Sequence, residues 1–276
     1  MEMTGQQLAQ TERRFQFGEN WRRFLSVLND ERIAEAEKSL TEMLALEDLR
    51  GLSFLDIGSG SGLFSLAARR LGAARVHSFD YDPQSVACAE ELKRRYFNGD
   101  DDWTIEQGSV LDADYVTRLG QFDVVYSWGV LHHTGAMWQA LENAARPVAA
   151  GGHLFIAIYN DQQQRSRLWL RVKRFYCEGA AGKVIVPAIF IPYFIAGGLT
   201  KDLLRGRNPL RRYADYKKSR GMSIVHDWID WLGGYPFEVA RPEEIFSFYH
   251  ERGFTLDRLV TCGGGLGNNQ FVFRRR

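Results

Sequence analysis

The chain has 276 residues, 45% of them hydrophobic and 25% charged, with a formal net charge of +1. The length allows one large domain or a core with a sizeable appendage, and the composition is that of an ordinary globular protein. The near-neutral balance argues against nucleic acid as the main partner.

Cys88, Cys177 and Cys262 are odd in number, far apart and form no C-x-x-C pair. That pattern implies neither a disulfide framework nor a structural zinc, and a reduced, cytoplasmic setting is expected. The opening "MEMTGQQLAQTERRF" is polar and lacks the apolar stretch of a signal peptide.

Residues 12–46 read as a charged amphipathic helical region. From 50 to 160, short apolar runs alternate with helix-like segments. "SFLDI" (53–57), "RVHSFD" (75–80), "WTIEQ" (103–107), "FDVVYS" (122–127) and "HLFIAIY" (153–159) read as buried strands. Leu63–Leu71, Pro83–Phe97 and Ala136–Ala149 have helical spacing. Such alternation predicts a parallel sheet covered on both faces. The pattern breaks over roughly 161–240 and resumes with a helix at 241–253, then strands at 254–260 and 269–274 around "CGGGLGN". The expected organisation is a core at 47–160 and 241–276. An N-terminal segment (1–46) and an insertion (161–240) are expected to sit over it as a helical cap.

Within the insertion, Val184–Leu199 has no charged residue. A spanning helix needs roughly 20 apolar residues, and Pro187 and Pro192 are expected to interrupt it. The segment is read as buried or as a lid. No stable membrane insertion is expected, with peripheral contact through 184–199 left open.

The first strand runs into "GSGSG", with Gly58, Gly60 and Gly62 ahead of a helix. Glycines there permit unusual backbone angles and bring amide N–H groups and a helix dipole against a ligand. The dinucleotide fingerprint needs a third glycine where Leu63 stands, and no G-K-[ST] follows, so a ligand without a pyrophosphate is favoured. About 20 residues on, the second strand ends in "SFDYDP", where an acid is placed to accept both hydroxyls of a ribose. Asp82 precedes Pro83, an N-cap arrangement, which leaves Asp80 for the ribose.

"LDIGSGSGLFS", "VHSFDYDP", "EQGSVLD" and "FDVVYSWGVLHHT" together resemble the successive motifs of class I S-adenosylmethionine-dependent methyltransferases, in order and spacing over roughly 50–160. The resemblance implies a doubly wound, Rossmann-like sheet of seven strands, mostly parallel, with an antiparallel last strand. It implies S-adenosyl-L-methionine as cofactor and S-adenosyl-L-homocysteine as product. By position, Asp56, Gly58, Gly60 and Gly62 would hold the methionine end and Asp80 the ribose. Tyr81 would lie beside the adenine, Ser109 and Val110 would line its pocket, and Ser127 would face the methionine moiety. Many relatives have Asp or Asn in place of Ser109.

Methyl transfer needs alignment, proximity and, for some acceptors, removal of a proton. His132 and His133 lie just past the fourth strand and are candidate bases, with packing as the alternative. Trp21, Tyr159, Asn160, His226, Trp228 and Tyr235 are candidate acceptor contacts, with Asp227, Trp231 and Glu238 near them in sequence. No metal site is expected. Asn268 or nearby backbone amides would reach the same rim unless "GGGLGNN" is simply a hairpin loop. The segment 201–220 has eight Lys/Arg against Asp202 and Asp215. Such a run suits an anionic acceptor, a peptide or an acidic lipid surface, or a solvated helix face.

The expected function is methyl transfer to a small molecule with a hydrophobic or aromatic part, favouring oxygen over nitrogen. The alternatives are a peptide acceptor, such as a ribosomally made precursor, and a non-catalytic protein that binds the same cofactor. Monomer and homodimer are both open.

Overall fold

The structure, a computed structural model, describes residues 25, 28–206, 208 and 224–276, without the side chains of 224–227 and 230. Its seven strands are β1 (Ser53–Ile57), β2 (Arg75–Asp80), β3 (Trp103–Gln107), β4 (Phe122–Trp128), β5 (Val148–Tyr159), β6 (Phe254–Val260) and β7 (Asn268–Arg275). They form one sheet in the order β3-β2-β1-β4-β5-β7-β6. β1 to β5 are parallel, and β7 runs antiparallel between β5 and β6. The expected seven-stranded fold is therefore observed.

The helices of the sheet unit are α1 (Asp30–Leu44), α2 (Leu63–Arg70), α3 (Pro83–Tyr96), α4 (Ala113–Arg118) and α5 (Met137–Ala145). The strands are apolar throughout because both faces are covered. Successive residues serve opposite faces: Phe54, Val124 and Tyr126 pack on one side, Leu55, Ile57 and Val125 on the other.

Strand order reverses between β1 and β4, the place in an open α/β sheet where a crevice opens at the carboxyl ends of the strands. Every cofactor residue named from sequence lies at that edge or on a loop leaving it. Two elements differ from expectation. α4 is a six-residue helix, too short to show an apolar period. β5 starts at Val148, five residues early: Val148 pairs with Phe122, and a register shift separates that pair from the ladder that resumes at His153.

α1 belongs to this unit. Its stripe of Ile33, Ala36, Leu40 and Leu44 packs in one cluster with Leu66 and Ala67 of α2. Helical spacing makes one continuous apolar face, and that face is covered.

Residues 164–237 fall in a second compact unit. Its described helices are α6 (Gln164–Cys177), α7 (Ala180–Leu204) and α8 (Ile224–Gly233); α9 (Pro242–His250) returns to the sheet unit. Trp169 of α6 meets Phe190 of α7 at 5.1 Å and Trp231 of α8 at 4.3 Å between ring centroids. Lys173 is buried here, donating to the Trp231 carbonyl with its ammonium 4.4 Å from the Trp231 ring centre. Burial lowers its pKa to about 7.

α7 corrects two expectations. It runs unbroken through Pro187 and Pro192, although each proline removes one i→i−4 hydrogen bond and costs about 3 kcal/mol. The packing of Phe190 and Phe194 against Trp169 and Trp231 offsets that cost. Nor is the segment buried: only 11% of its apolar window lies inside the protein.

Candidate active site

The loop after β1 is held by its own backbone. The N–H groups of Gly58 and Ser59 both donate to the Phe79 carbonyl of β2, at 2.9 and 3.1 Å. Gly58, Gly60 and Gly62 have φ of +74°, +55° and +79°, the left-handed region where a side chain is strained. At Gly58 space is closed as well: a Cβ would stand 2.4 Å from Cγ1 of Val130. The glycine spacing is therefore required by the loop's own path.

Asp80 closes the loop from β2. Its Oδ2 accepts from the Gly60 N–H at 2.9 Å and its Oδ1 from the Asp82 N–H at 2.9 Å. Each carboxylate oxygen has a second lone pair, so Asp80 braces the loop and retains acceptor capacity for a diol. Asp82 caps α3 as expected, accepting from the Gln84 N–H at 2.9 Å. The Ser59 hydroxyl, within the loop, is buried and has no hydrogen-bond partner among the described residues. A buried orphan hydroxyl is costly unless a ligand or water completes it.

The adenine side is formed by the ends of β2 and β3. The Tyr81 ring is exposed, and its carbonyl accepts from the Gln107 amide at 3.0 Å. Ser109 Oγ accepts from the Leu111 N–H at 3.2 Å in the turn before α4. Val110 is buried, with its carbonyl bound by Asn143.

Asp56 and Ser127 are both engaged within the protein. Asp56 is 2% exposed, and its Oδ2 accepts from Ser65 Oγ at 2.6 Å. Ser78 donates to Ser65 and the Trp103 indole N–H donates to Ser78, completing a buried chain. Asp56 thus stands beneath the loop and supports it through α2. Ser127 is fully buried and donates to the Ile57 carbonyl at 3.0 Å, tying the ends of β1 and β4 together. Its hydroxyl proton is therefore engaged within the sheet.

At the ends of β4 and β5, three rings meet. His132 and Tyr159 lie 4.1 Å apart between centroids, His133 and Tyr159 5.4 Å, and the two histidines 4.5 Å. His132 is fully buried and His133 half-buried, which favours His133 for contact with an acceptor. Burial raises the Tyr159 phenol to about 12, so it stays a donor at neutral pH. Asn268 lies opposite Tyr159 in the sheet, and its side-chain oxygen is buried without a hydrogen-bond partner among the described residues. Asn160 is engaged by Asn269 at 3.0 Å and donates to the Gly265 carbonyl, tying the glycine-rich loop to β5.

The remaining expectations divide. Trp228 packs on Phe194 at 5.4 Å within the helical unit, and the Tyr235 N–H donates to the Gly233 carbonyl. Trp21 and the side chains of His226 and Asp227 lie outside the described residues. Glu238 holds a helix start. Both its carboxylate oxygens accept from the Met137 N–H, at 3.0 and 3.1 Å. It caps α5, whose own N-cap residue, Ala136, has no side chain to do so.

A family described as "Methyltransferase domain" matches residues 55–154. Residues 55–154 thus match a methyltransferase domain, in line with the class I resemblance of the sequence. The cofactor of that family is S-adenosylmethionine. The chain is 44% identical over 73 residues to ribosomal protein L11 methyltransferase of Methylococcus capsulatus, covering 26% of this chain and 25% of that one. It is 29% identical over 143 residues to the tRNA U34 carboxymethyltransferase of the same organism, covering 52% and 38%. The chain thus spans well under half the length of these two curated relatives. Among solved structures, magnesium protoporphyrin IX methyltransferase from Synechocystis with bound SAH is similar in fold. Its TM-score is 0.52 at 15% identity, covering 88% of this chain and 83% of that one. PKMT2 from Rickettsia typhi, in complex with AdoHcy, has a TM-score of 0.57 at 10% identity, covering 87% and 52%.

In this methyltransferase domain, burial raises the Asp56 pKa from 3.8 to about 7. A folded-state pKa above the unfolded value means that stability is fully present below about pH 4 and is lost as pH rises through about 7. The difference is at most about 4 kcal/mol. Asp56→Asn keeps an acceptor for Ser65 and is expected to flatten stability over that window. Denaturant unfolding from about pH 4 to about pH 8 checks it; a variant that retains the wild-type slope contradicts it.

Proposed function

We propose that the protein is a cytoplasmic methyltransferase that binds S-adenosylmethionine at the glycine loop and methylates a small acceptor with a hydrophobic or aromatic part, on oxygen. The observation that carries the cofactor half is the loop itself. Three left-handed glycines, a buried orphan hydroxyl at Ser59 and a carboxylate at Asp80 suit a ligand with a polar amino-acid end and a ribose. When bound, the cofactor supplies an electrophilic methyl group on a sulfonium.

The Ser59 hydroxyl and Asp80 orient that ligand, and Asp56 with Ser65 holds the loop rigid from below. The half-buried His133 is positioned to take a hydroxyl proton from an acceptor. The Tyr159 phenol and the Asn268 oxygen offer a donor and an acceptor to fix its orientation.

A macromolecular acceptor is the second reading. The two curated relatives are named for a ribosomal protein and a tRNA. The segment 201–220 has eight Lys/Arg against two Asp. Incubating the protein with methyl-labelled S-adenosylmethionine and a cell extract divided by size separates the two readings. Label is expected in the small-molecule fraction, and is expected to fall at least tenfold with His133→Ala, in line with removal of a general base. Label confined to peptide, protein or RNA overturns the small-molecule reading.

A further inference from the structure

We propose that the outer face of α7 docks on an anionic lipid surface, the helix lying in the membrane plane and basic side chains gripping the headgroups. Among the described residues, α7 alone is long and apolar enough to cross a membrane by length and composition. It is apolar on two sides. One side, with Val186, Phe190 and Phe194, is turned in, and Phe190 and Phe194 meet Trp169.

The other side is open. Val184, Ile189 and Tyr193 are 69%, 59% and 66% exposed, and Ile185 and Ala188 lie on the same stripe. At 3.6 residues per turn these positions fan over about half of the helix circumference, the half away from Val186, Phe190 and Phe194. An exposed apolar stripe of this length on a soluble chain marks an interaction surface.

Charge identifies the occupant. Residues 164–220 carry fourteen Lys/Arg against three Asp/Glu, a balance of +11 in a chain whose total is +1. The remainder is therefore at −10, so the cations are concentrated in this segment of the sequence, and among the described residues Arg165, Arg167, Arg171 and Arg205 are exposed. Exposed Lys183 and Lys201 bracket its uncharged stretch. Of the three acids, Asp202 is buried and Glu178 is paired with Arg174. A second copy of this chain would bring the same +11 against itself, whereas an anionic bilayer offers both an apolar layer and opposite charge.

Spanning does not fit. The uncharged stretch between Lys183 and Lys201 is 17 residues, at the lower limit of the roughly 17–25 that span a bilayer, and one side of the helix is already engaged by Trp169. An in-plane helix buries only its outer stripe, which matches the stripe left open. The docking does not depend on methyl transfer, so it stands or falls separately from that reading.

The test is co-sedimentation of the full chain, without methyl donor, with vesicles of phosphatidylcholine containing about 30% phosphatidylglycerol, beside pure phosphatidylcholine vesicles. Binding to the anionic vesicles is expected, with little to the neutral ones. Raising salt from about 0.1 M to about 0.5 M is expected to weaken it several-fold. The double variant Ile189→Glu/Tyr193→Glu, both on the solvent side, is expected to lose at least about tenfold in partitioning at an unchanged unfolding midpoint. Absence of binding to anionic vesicles overturns the proposal. Binding that survives the double variant also overturns it, because the apolar stripe is then not used. Sedimentation velocity without lipid supplies the last arm: a dimer that the same substitutions dissolve assigns the face to a second copy instead.

Discussion

Asp80→Ala is expected to weaken S-adenosylmethionine binding by more than tenfold, the largest loss from any single carboxylate in the core. Two effects combine. The carboxylate is the acceptor placed for the ribose, and a hydrogen bond to a charged group contributes about 1.5–3 kcal/mol. It also accepts from the N–H groups of Gly60 and Asp82, so its removal leaves two part-buried donors unpaired and loosens the loop. A tenfold loss corresponds to about 1.4 kcal/mol, so the ribose contact alone reaches it. Asp80→Asn separates the effects: its amide retains one oxygen for the loop but turns an NH2 group toward the other N–H. Calorimetric titration of both variants checks the order, with Asn intermediate. An Ala variant that binds as the wild type does removes Asp80 from the site.

Gly58→Ala is expected to destabilise the protein by about 2–5 kcal/mol and to abolish cofactor binding. About 1–2 kcal/mol arises from placing a side chain at φ +74°. A further 1–3 kcal/mol or so comes from overpacking, because the new methyl would meet Val130 at 2.4 and 2.7 Å. Those two contacts are to the branched methyls of Val130, so Val130→Ala removes most of the obstruction. The double variant Gly58→Ala/Val130→Ala is expected to regain the packing part of the loss and not the backbone part. Denaturant unfolding of the four proteins gives the coupling directly. Simple additivity of the two single changes contradicts the predicted contact.

Features written in local chemistry were legible in the sequence. The β1 and β2 boundaries were read at their observed residues, since short apolar runs bounded by turns specify buried parallel strands. Asp82 was separated from Asp80 by the proline that follows it, and the structure shows the cap. Features that depend on distant partners were not legible. Asp56 sits in the glycine motif, yet its environment is set by Ser65, Ser78 and Trp103, three residues on three other elements. Ser127 is turned by a carbonyl 70 positions away, and Glu238 reaches a helix start 101 positions away. The prolines of α7 were misread because propensity is local, whereas Trp169 and Trp231 hold that helix from other segments. At the candidate acceptor site the histidine pair was visible as "LHH", but burial alone distinguishes His132 from His133.

The most direct test of the central claim is titration of S-adenosylmethionine and S-adenosylhomocysteine into the wild-type protein by calorimetry. The account predicts one site per chain with micromolar affinity for both, about −8 kcal/mol. Absence of heat or binding with either ligand, in protein shown to be folded, would contradict the methyltransferase assignment and leave the glycine loop as a turn that joins β1 to α2.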